Sequence, residues 1–188
     1  MRKTDVIRKT VLQLILSICL VHPSILGQTA KPDSALVIIK AAVTDAHSSK
    51  KNVLLLFHAT WCKWCKRLET VLNEPEMKVL IDRNYIIALL DVQERGEKIH
   101  THENPGGQKI LSDFGGKNAG LPFIVFLNGN GAMIANSNGM PQQQNIGYPG
   151  SKEEIAAFVK LLMKTAPRIT GKQRDVIQKY FELHAPQQ

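Results

Sequence analysis

A short apolar run that leads almost directly into a closely spaced cysteine pair is the feature that most constrains this fold. Residues 53–57 are all apolar, and Cys62 and Cys65 follow in a C-x-x-C arrangement. A continuous apolar run of this length is typical of a strand buried on both faces, with helices on either side of the sheet. A helical pattern continues through Leu72, so the cysteine pair is predicted to lie at a strand-to-helix junction.

The rest of the chain alternates helical patterns with strand patterns. Ser34 is predicted to cap the first helix, and the Asn-Gly-Asn-Gly sequence at 128–131 predicts a tight hairpin, which makes the last two strands antiparallel. The predicted strands cover residues 53–57, 85–92, 122–127 and 132–135; the predicted helices begin near residues 35, 62, 77, 109, 152 and 171; the predicted loops cover residues 93–109 and 136–150. The pattern predicts an α/β fold, with a central mixed sheet covered by helices on both faces and an extra C-terminal helix.

The N-terminal residues have the pattern of a leader. Four basic residues precede an apolar stretch at residues 11–21, and a polar exit containing Pro23 follows. This is the pattern of a secretory signal peptide, and the apolar stretch is short for a membrane span; an uncleaved membrane anchor is the alternative. We predict a signal peptide at residues 1–27, a folded domain at residues 31–168 and a helical extension at residues 169–188.

Removal of the leader changes the composition on which function depends. The chain has 188 residues, three cysteines and a formal charge of +8. Loss of four basic residues and one acidic residue leaves +5, which gives little reason to expect a nucleic-acid partner. Cys19 leaves with the leader, so Cys62 and Cys65 remain as a pair in an oxidising environment. We expect no stable membrane span after leader removal.

The cysteine pair has the spacing and the placement that disulfide exchange requires. Cys62 is predicted at a helix N-terminus, where free backbone N–H groups and the helix dipole stabilise a thiolate. Lys63 adds positive charge beside it, and is predicted to modulate the pKa of Cys62. Cys65 lies within one helical turn and is predicted to resolve the mixed disulfide that Cys62 forms. Trp61 and Trp64 bracket the pair and are predicted to form a docking surface.

Two other interpretations of the pair remain open. His58, His100 or His102 could complete a zinc site with the two cysteines, although no second cysteine pair exists and we predict no metal. A purely structural disulfide is the other alternative, but a C-x-x-C bridge closes a very short loop and restrains little chain entropy.

Two stretches of this sequence resemble the thioredoxin superfamily, in particular its exported bacterial thioredoxin-like members. Residues 53–66 (VLLLFHATWCKWCK) resemble the strand and active-site turn of the family, and residues 120–126 (GLPFIVF) resemble its second conserved landmark. The resemblance covers residues 35–165 and implies a thioredoxin-like fold. It also implies that Pro122 follows a cis peptide bond and that the backbone of Leu121 pairs with an extended substrate.

The sequence departs from the family pattern at two site positions. Leu56 stands where many members place a buried carboxylate, which leaves the route for the proton of Cys65 open. Phe123 stands where a threonine often follows the cis-proline.

The sequence therefore predicts an exported, reductase-like thiol–disulfide oxidoreductase, located in the periplasm or secreted. Its partners would be protein or peptide thiols and disulfides and a redox partner protein. We expect no cofactor other than the redox-active disulfide of Cys62 and Cys65. The alternatives are a non-catalytic peptide-binding or partner-binding module that borrows the fold, and metal handling by the cysteines with a histidine.

Overall fold

The computed structural model describes residues 32–166 and 168–186. The predicted signal peptide at residues 1–27, with Cys19, lies outside the described residues. Within the described part of the chain, no helix combines the length and the apolar character that crossing a membrane requires.

Four strands form one mixed sheet. They are β1 (Asn52–His58), β2 (Tyr85–Asp91), β3 (Phe123–Leu127) and β4 (Met133–Asn136), in the spatial order β2-β1-β3-β4. β1 pairs with β2 in parallel and with β3 in antiparallel orientation, and β3 pairs with β4 in antiparallel orientation. The predicted mixed sheet and the predicted hairpin are therefore confirmed, and β1, the strand that precedes the cysteines, lies in the interior of the sheet.

Seven α-helices occur in the described residues. They are α1 (Ala35–Ser49), α2 (Lys63–Asn73), α3 (Pro75–Asn84), α4 (Lys98–Thr101), α5 (Gly107–Leu111), α6 (Lys152–Thr165) and α7 (Gly171–Leu183). Ser34 caps α1, as predicted, and Ser151 forms a capping box with Glu154 at the start of α6. Pro75 occupies the first turn of α3, where its missing N–H costs nothing, so it separates α2 from α3.

Helices cover both faces of the sheet because alternate residues of the central strands point to opposite sides. On one face, Val53, Leu55 and Phe57 of β1 pack in a cluster with Ala42 of α1. On the other face, Leu54 and Leu56 join a larger cluster to which α2, α3, α6 and α7 contribute. The predicted α/β fold with helices on both faces is confirmed.

The segment between β2 and β3 contains more structure than the sequence predicts. The residues 93–109, predicted as loop, contain the short helix α4, and the helix predicted from 109 begins at Gly107. A π-helical turn, Ser112–Gly116, follows α5, and Gly115 adopts a left-handed φ of 87° there. This conformation is accessible to glycine without a side-chain clash, which is why the helical pattern ends at this point.

The C-terminal helix packs against the rest of the chain. Thr170 and Gln173 form a capping box at the start of α7, and Ile177 and Phe181 are buried in the same cluster as Leu56. Phe181 packs edge-on against Phe158 of α6, with ring centroids 5.3 Å apart. The boundary predicted at residue 168 stays a prediction, but the helix beyond it shares a core with the sheet.

Candidate active site

The cysteine pair lies where the central strand gives way to a helix. After β1 ends at His58, Cys62 takes the N-cap position of α2, and its Sγ accepts a hydrogen bond from the backbone N–H of Cys65 at 3.1 Å. The two sulfur atoms are bonded, 2.04 Å apart. The structure therefore places the first sulfur at a helix N-terminus, as the sequence predicts.

The surroundings of the disulfide favour a negative charge on Cys62. The first turn of α2 contains no acidic residue, and Lys63 is exposed at its first position. A thiolate at Cys62 would meet the free N–H groups and the positive end of the helix dipole. Cys62 is 3% exposed and Cys65 is fully buried, so the outer sulfur is the one that an incoming group meets first.

Trp61 is held from one side by the segment after β2. Its Nε1–H donates to the backbone carbonyl of Gln93 at 2.8 Å, and the guanidinium of Arg95 lies 3.9 Å from the ring centroid. Such cation–π contacts stabilise an aromatic ring while leaving its other face free. Trp61 remains 39% exposed, which is consistent with a docking surface.

A buried carboxyl group anchors the turn just before the cysteines. Glu94 is 5% exposed, and its two oxygen atoms accept hydrogen bonds from the backbone N–H of Thr60 at 2.5 Å and from its hydroxyl at 2.8 Å. Lys98 donates to the same hydroxyl at 3.0 Å. The segment 93–98 thus fixes the position of the active-site turn from outside the sheet.

Trp64 is held from the opposite side by residues far along the chain. Its ring stacks on Tyr148, with centroids 5.5 Å apart and an angle of 26° between the planes. The guanidinium of Arg67 lies 5.9 Å from the Trp64 centroid and 5.2 Å from that of Tyr148, and it donates to the carbonyl of His184 at 2.5 Å. Trp64 is still 46% exposed.

The segment before β3 forms the floor beside the disulfide. Leu121 packs against Cys62 and Cys65, and the Leu121–Pro122 peptide bond is cis, as the resemblance implies. The side-chain amide of Asn145 donates to the carbonyls of Gly120 at 2.7 Å and Pro122 at 3.0 Å. All seven predicted site residues therefore lie on the active-site turn or beside it, but their roles stay predictions.

A partly buried charged cluster lies between β1, β2 and α2. His58 Nδ1 is 2.9 Å from a carboxylate oxygen of Glu69, and its Nε2 is 3.4 Å from one of Asp91. Burial raises the pKa of Asp91 above its ordinary value, and the neighbouring His58 partly offsets this. Leu56 is fully buried on the same side of β1 as His58. The carboxyl groups on this side of β1 are therefore those of Glu69 in α2 and Asp91 in β2, and position 56 supplies none.

The structure does not gather the histidines considered for zinc around the cysteines. His58 contacts Glu69 and Asp91, while His100 and His102 are exposed near α4. Among the described residues, no group of three or more histidine, cysteine or acidic side chains is arranged to hold a metal ion.

The sequence analysis missed Glu94 and Tyr148. Both lie in stretches that were predicted as polar loop, 34 residues from Thr60 and 84 residues from Trp64 respectively. No local pattern marks either residue, because each acts through a contact that only the folded chain creates.

Comparison with known proteins gives a family match. A family model described as "Thioredoxin-like" matches residues 36–129. A curated protein disulfide-isomerase from Hordeum vulgare is 25% identical over 128 residues, which are 68% of this chain and 22% of the plant protein. A second, from Ricinus communis, is 40% identical over 58 residues, which are 28% of this chain and 12% of that protein. The chain thus spans about a fifth of the length of the first of these relatives.

Solved structures with similar folds also exist. The disulphide isomerase from Xylella fastidiosa Temecula1 has 18% sequence identity and a TM-score of 0.47, and the match covers 80% of this chain and 90% of that one. The C-terminal domain of DsbD from Neisseria meningitidis, in its oxidised form, has 28% identity and a TM-score of 0.39, with coverage of 55% and 83%.

Proposed function

Because this chain belongs to the thioredoxin-like family, we propose that it is an exported thiol–disulfide oxidoreductase that works through Cys62 and Cys65. The single observation that carries the proposal is the disulfide at the N-terminus of α2, with Cys62 at the cap and Cys65 buried behind it. A disulfide at this spacing would stabilise the fold only slightly, because a bridge between residues three apart removes little conformational entropy from the unfolded chain.

The exchange reaction follows from the different positions of the two sulfurs. In the reduced protein, the Cys62 thiolate attacks one sulfur of a substrate disulfide, and the other substrate sulfur leaves as a thiolate. Cys65 then loses its proton and attacks Cys62 Sγ, which releases the second substrate thiolate and closes the Cys62–Cys65 bond. The substrate gains two electrons and the protein loses two.

The remaining groups serve this reaction by position. Lys63 and the helix N-terminus stabilise the Cys62 thiolate, and the partly exposed rings of Trp61 and Trp64 offer contact area to the substrate. Leu121 and Pro122 place a backbone segment next to the disulfide for an extended substrate chain. The partners in this scheme are proteins or peptides that carry thiols or disulfides, together with a redox partner protein that returns the electrons.

The direction and location belong to the same proposal. We favour reduction of substrate disulfides, on the resemblance of residues 53–66 to thioredoxin-like proteins. The leader pattern at residues 1–27 supports export to the periplasm or secretion. The mature N-terminus, determined by mass spectrometry on protein from each cellular fraction, would test the export.

A turnover assay tests the chemistry. Reduction of an insulin-like disulfide by the wild-type protein is compared with Cys62→Ser and Cys65→Ser, with dithiothreitol as electron donor. We expect turnover from the wild type only, and wild-type turnover no higher than that of both variants would refute the proposal. Equilibration of the pair in glutathione buffers measures the reduction potential, and a low value supports the reductase direction.

A further inference from the structure

Among the described residues, β2 and β4 are the two edge strands of the sheet, and they differ in how well they are protected. Short strands, bulges, prolines and charges are the usual protection of an edge, because its unpaired backbone groups can pair with another chain. The strand β4 is short, Met133–Asn136, and its pairing with β3 is irregular between Phe126 and Leu127. The strand β2 is longer and pairs regularly with β1, and its sequence YIIALLD contains no proline and no charge before Asp91. The edge formed by β2 is therefore the less protected one.

Backbone hydrogen bonds show which residues of β2 face away from β1. The N–H of Val92 donates to the carbonyl of His58 in β1, so Val92 faces the sheet. Asp91 faces the opposite way, since its N–H donates to Oδ1 of Asn104 at 2.7 Å and its carbonyl accepts from the N–H of Asn104 at 2.9 Å. Because the direction of these groups alternates along a strand, the odd-numbered residues of β2 face outward.

The two ends of this outward edge are already occupied, and its middle is free. Asn104 covers the backbone of Asp91 at one end, and the N–H of Tyr85 donates to the carbonyl of Ile81 at the other. Between these ends, the N–H and C=O groups of Ile87 and Leu89 have no hydrogen-bond partner in the part of the chain that the structure describes. The free edge thus consists of residues 87–89.

An apolar groove of about 470 Å³ runs along the same edge. Leu56 and Leu72 of the core line it, together with Tyr85, Ile87 and Leu89 of β2. Leu89 remains 39% exposed, although it belongs to a strand. Recognition by strand addition combines main-chain hydrogen bonds with pockets for alternate side chains, and this edge offers both.

The free edge is complementary to a second copy of itself. In an antiparallel pair related by a two-fold axis at Ala88, Ile87 of each copy lies opposite Leu89 of the other. Both residues of each facing pair point outward, so each pair exchanges both of its N–H···O bonds. The side chains of Ile87 and Leu89 lie on the face with the groove, so each Ile87 covers the exposed Leu89 of the other copy. Ala88 meets its own counterpart where the strands approach most closely, and its side chain is small.

The charges along the groove also favour a second copy. Lys51 lies at one end, because it precedes β1, which starts level with β2. Glu69 and Asp91, which share the contact with the histidine of the charged cluster, lie at the other end. Lys78 and Asp82, also in the groove, form an ion pair with each other at 2.7 Å. The two-fold axis brings the lysine end of one copy towards the acidic end of the other.

The same arrangement leaves both active sites accessible. Cys62 and Cys65 follow the carboxyl end of β1, and β1 is parallel to β2. An antiparallel pair of β2 strands therefore directs the two active sites to opposite ends of the joined sheet.

We propose that the edge of β2 is a dimerisation surface, on which two copies of this chain pair residues 87–89 in antiparallel orientation and form one continuous sheet. The proposal does not depend on the redox chemistry of the cysteine pair. The interface is small compared with those of permanent dimers, so we expect a Kd of about 1–50 µM.

Sedimentation equilibrium on the oxidised protein, from about 1 µM to about 200 µM, tests the dimer. Leu89→Lys places a charge in the apolar contact at a position that is partly exposed in the single chain, and is expected to raise the Kd at least about tenfold. Met133→Lys makes the same change at an exposed residue of β4, on the opposite edge, and is expected to keep the wild-type Kd. Both variants are expected to keep the wild-type circular dichroism spectrum and disulfide turnover.

Hydrogen exchange measured by NMR tests the pairing itself. The amides of Ile87 and Leu89 are expected to exchange rapidly in dilute protein and severalfold more slowly at the highest concentration. In Leu89→Lys, the amide of Ile87 is expected to exchange rapidly at both concentrations.

Three results would overturn the proposal. The first is a wild-type protein that stays monomeric over the whole concentration range. The second is a dimer that Leu89→Lys does not weaken, because another surface would then form it. The third is equal protection of the amides of Ile87 and Leu89 at all concentrations, because another segment of the same chain would then occupy the edge. Disulfide turnover is measured separately, so each of these results leaves the proposed function standing.

Discussion

The anchoring of the active-site turn by Glu94 leads to a quantitative prediction. Glu94→Ala removes two hydrogen bonds to Thr60, one from a backbone N–H and one from a hydroxyl. Hydrogen bonds to a charged group contribute roughly 1.5–3 kcal/mol each, and the two are not fully additive because they share one partner. We expect the free energy of unfolding to fall by about 2–4 kcal/mol, which lowers Tm by about 4–16 °C in a domain of this size.

Two matched variants show which part of the carboxyl group matters. Glu94→Gln keeps an oxygen that accepts from the N–H of Thr60 and an amide that donates to its hydroxyl, so it is expected to cost only about 1 kcal/mol. Glu97→Ala changes an exposed acid of the same segment and is expected to stay within about 0.5 kcal/mol of wild type.

Urea unfolding followed by circular dichroism measures these differences, with all proteins kept oxidised. The same variants are assayed for disulfide turnover, because a displaced Thr60 would displace the turn that leads to Cys62. A loss for Glu94→Ala no larger than that for Glu97→Ala would show that the buried carboxyl does not hold the turn.

Three further predictions concern the resolving cysteine, the C-terminal helix and the charged cluster. Cys65→Ser is expected to accumulate a mixed disulfide with substrate, visible as a reducible band on non-reducing gels; no such band would contradict the order of attack. Phe181→Ala, at a fully buried position, is expected to lower the free energy of unfolding by about 3–5 kcal/mol. Val176→Ala, on the exposed side of the same helix, is expected to lower it by less than about 1 kcal/mol. Equal losses in urea unfolding would show that α7 is not part of the core. Burial raises the pKa of Asp91 in the folded state, so the contribution of this carboxyl group to stability falls as pH rises from about 3.9, the unfolded pKa, through the folded pKa. Asp91→Asn should therefore gain stability relative to the wild type across that pH window. Unfolding curves at a series of pH values check the sign, and a difference in free energy of unfolding that does not change with pH would contradict it.

The part of the site that sequence could predict is the part that local rules determine. The apolar run of β1, the helical pattern after Cys62 and the hairpin turn each lie within a few residues of chain, so their structures follow from period and turn chemistry. The placement of Cys62 at a helix N-terminus follows from the same patterns. The cis bond before Pro122 came only from the family resemblance.

The part that sequence could not predict depends on contacts between distant segments. Glu94 and Tyr148 each lie in polar stretches with no periodicity, and their roles arise only when the sheet brings those stretches to the active-site turn. The helix α4 is too short to give a periodic signal, and the π-helical turn depends on the backbone conformation of Gly115.

The short separation between the two cysteines has a thermodynamic consequence. Opening a bridge between residues 62 and 65 gives the unfolded chain little additional freedom, so the unfolded protein should resemble a short peptide in its dithiol–disulfide equilibrium. By a thermodynamic cycle, any difference in stability between the oxidised and reduced proteins equals the free energy by which folding shifts that equilibrium. About 1.4 kcal/mol of extra stability in the oxidised form corresponds to a potential about 30 mV lower than that of the peptide. Two unfolding curves, one for each redox form, therefore report how strongly this fold acts as a reductant, without knowledge of any partner.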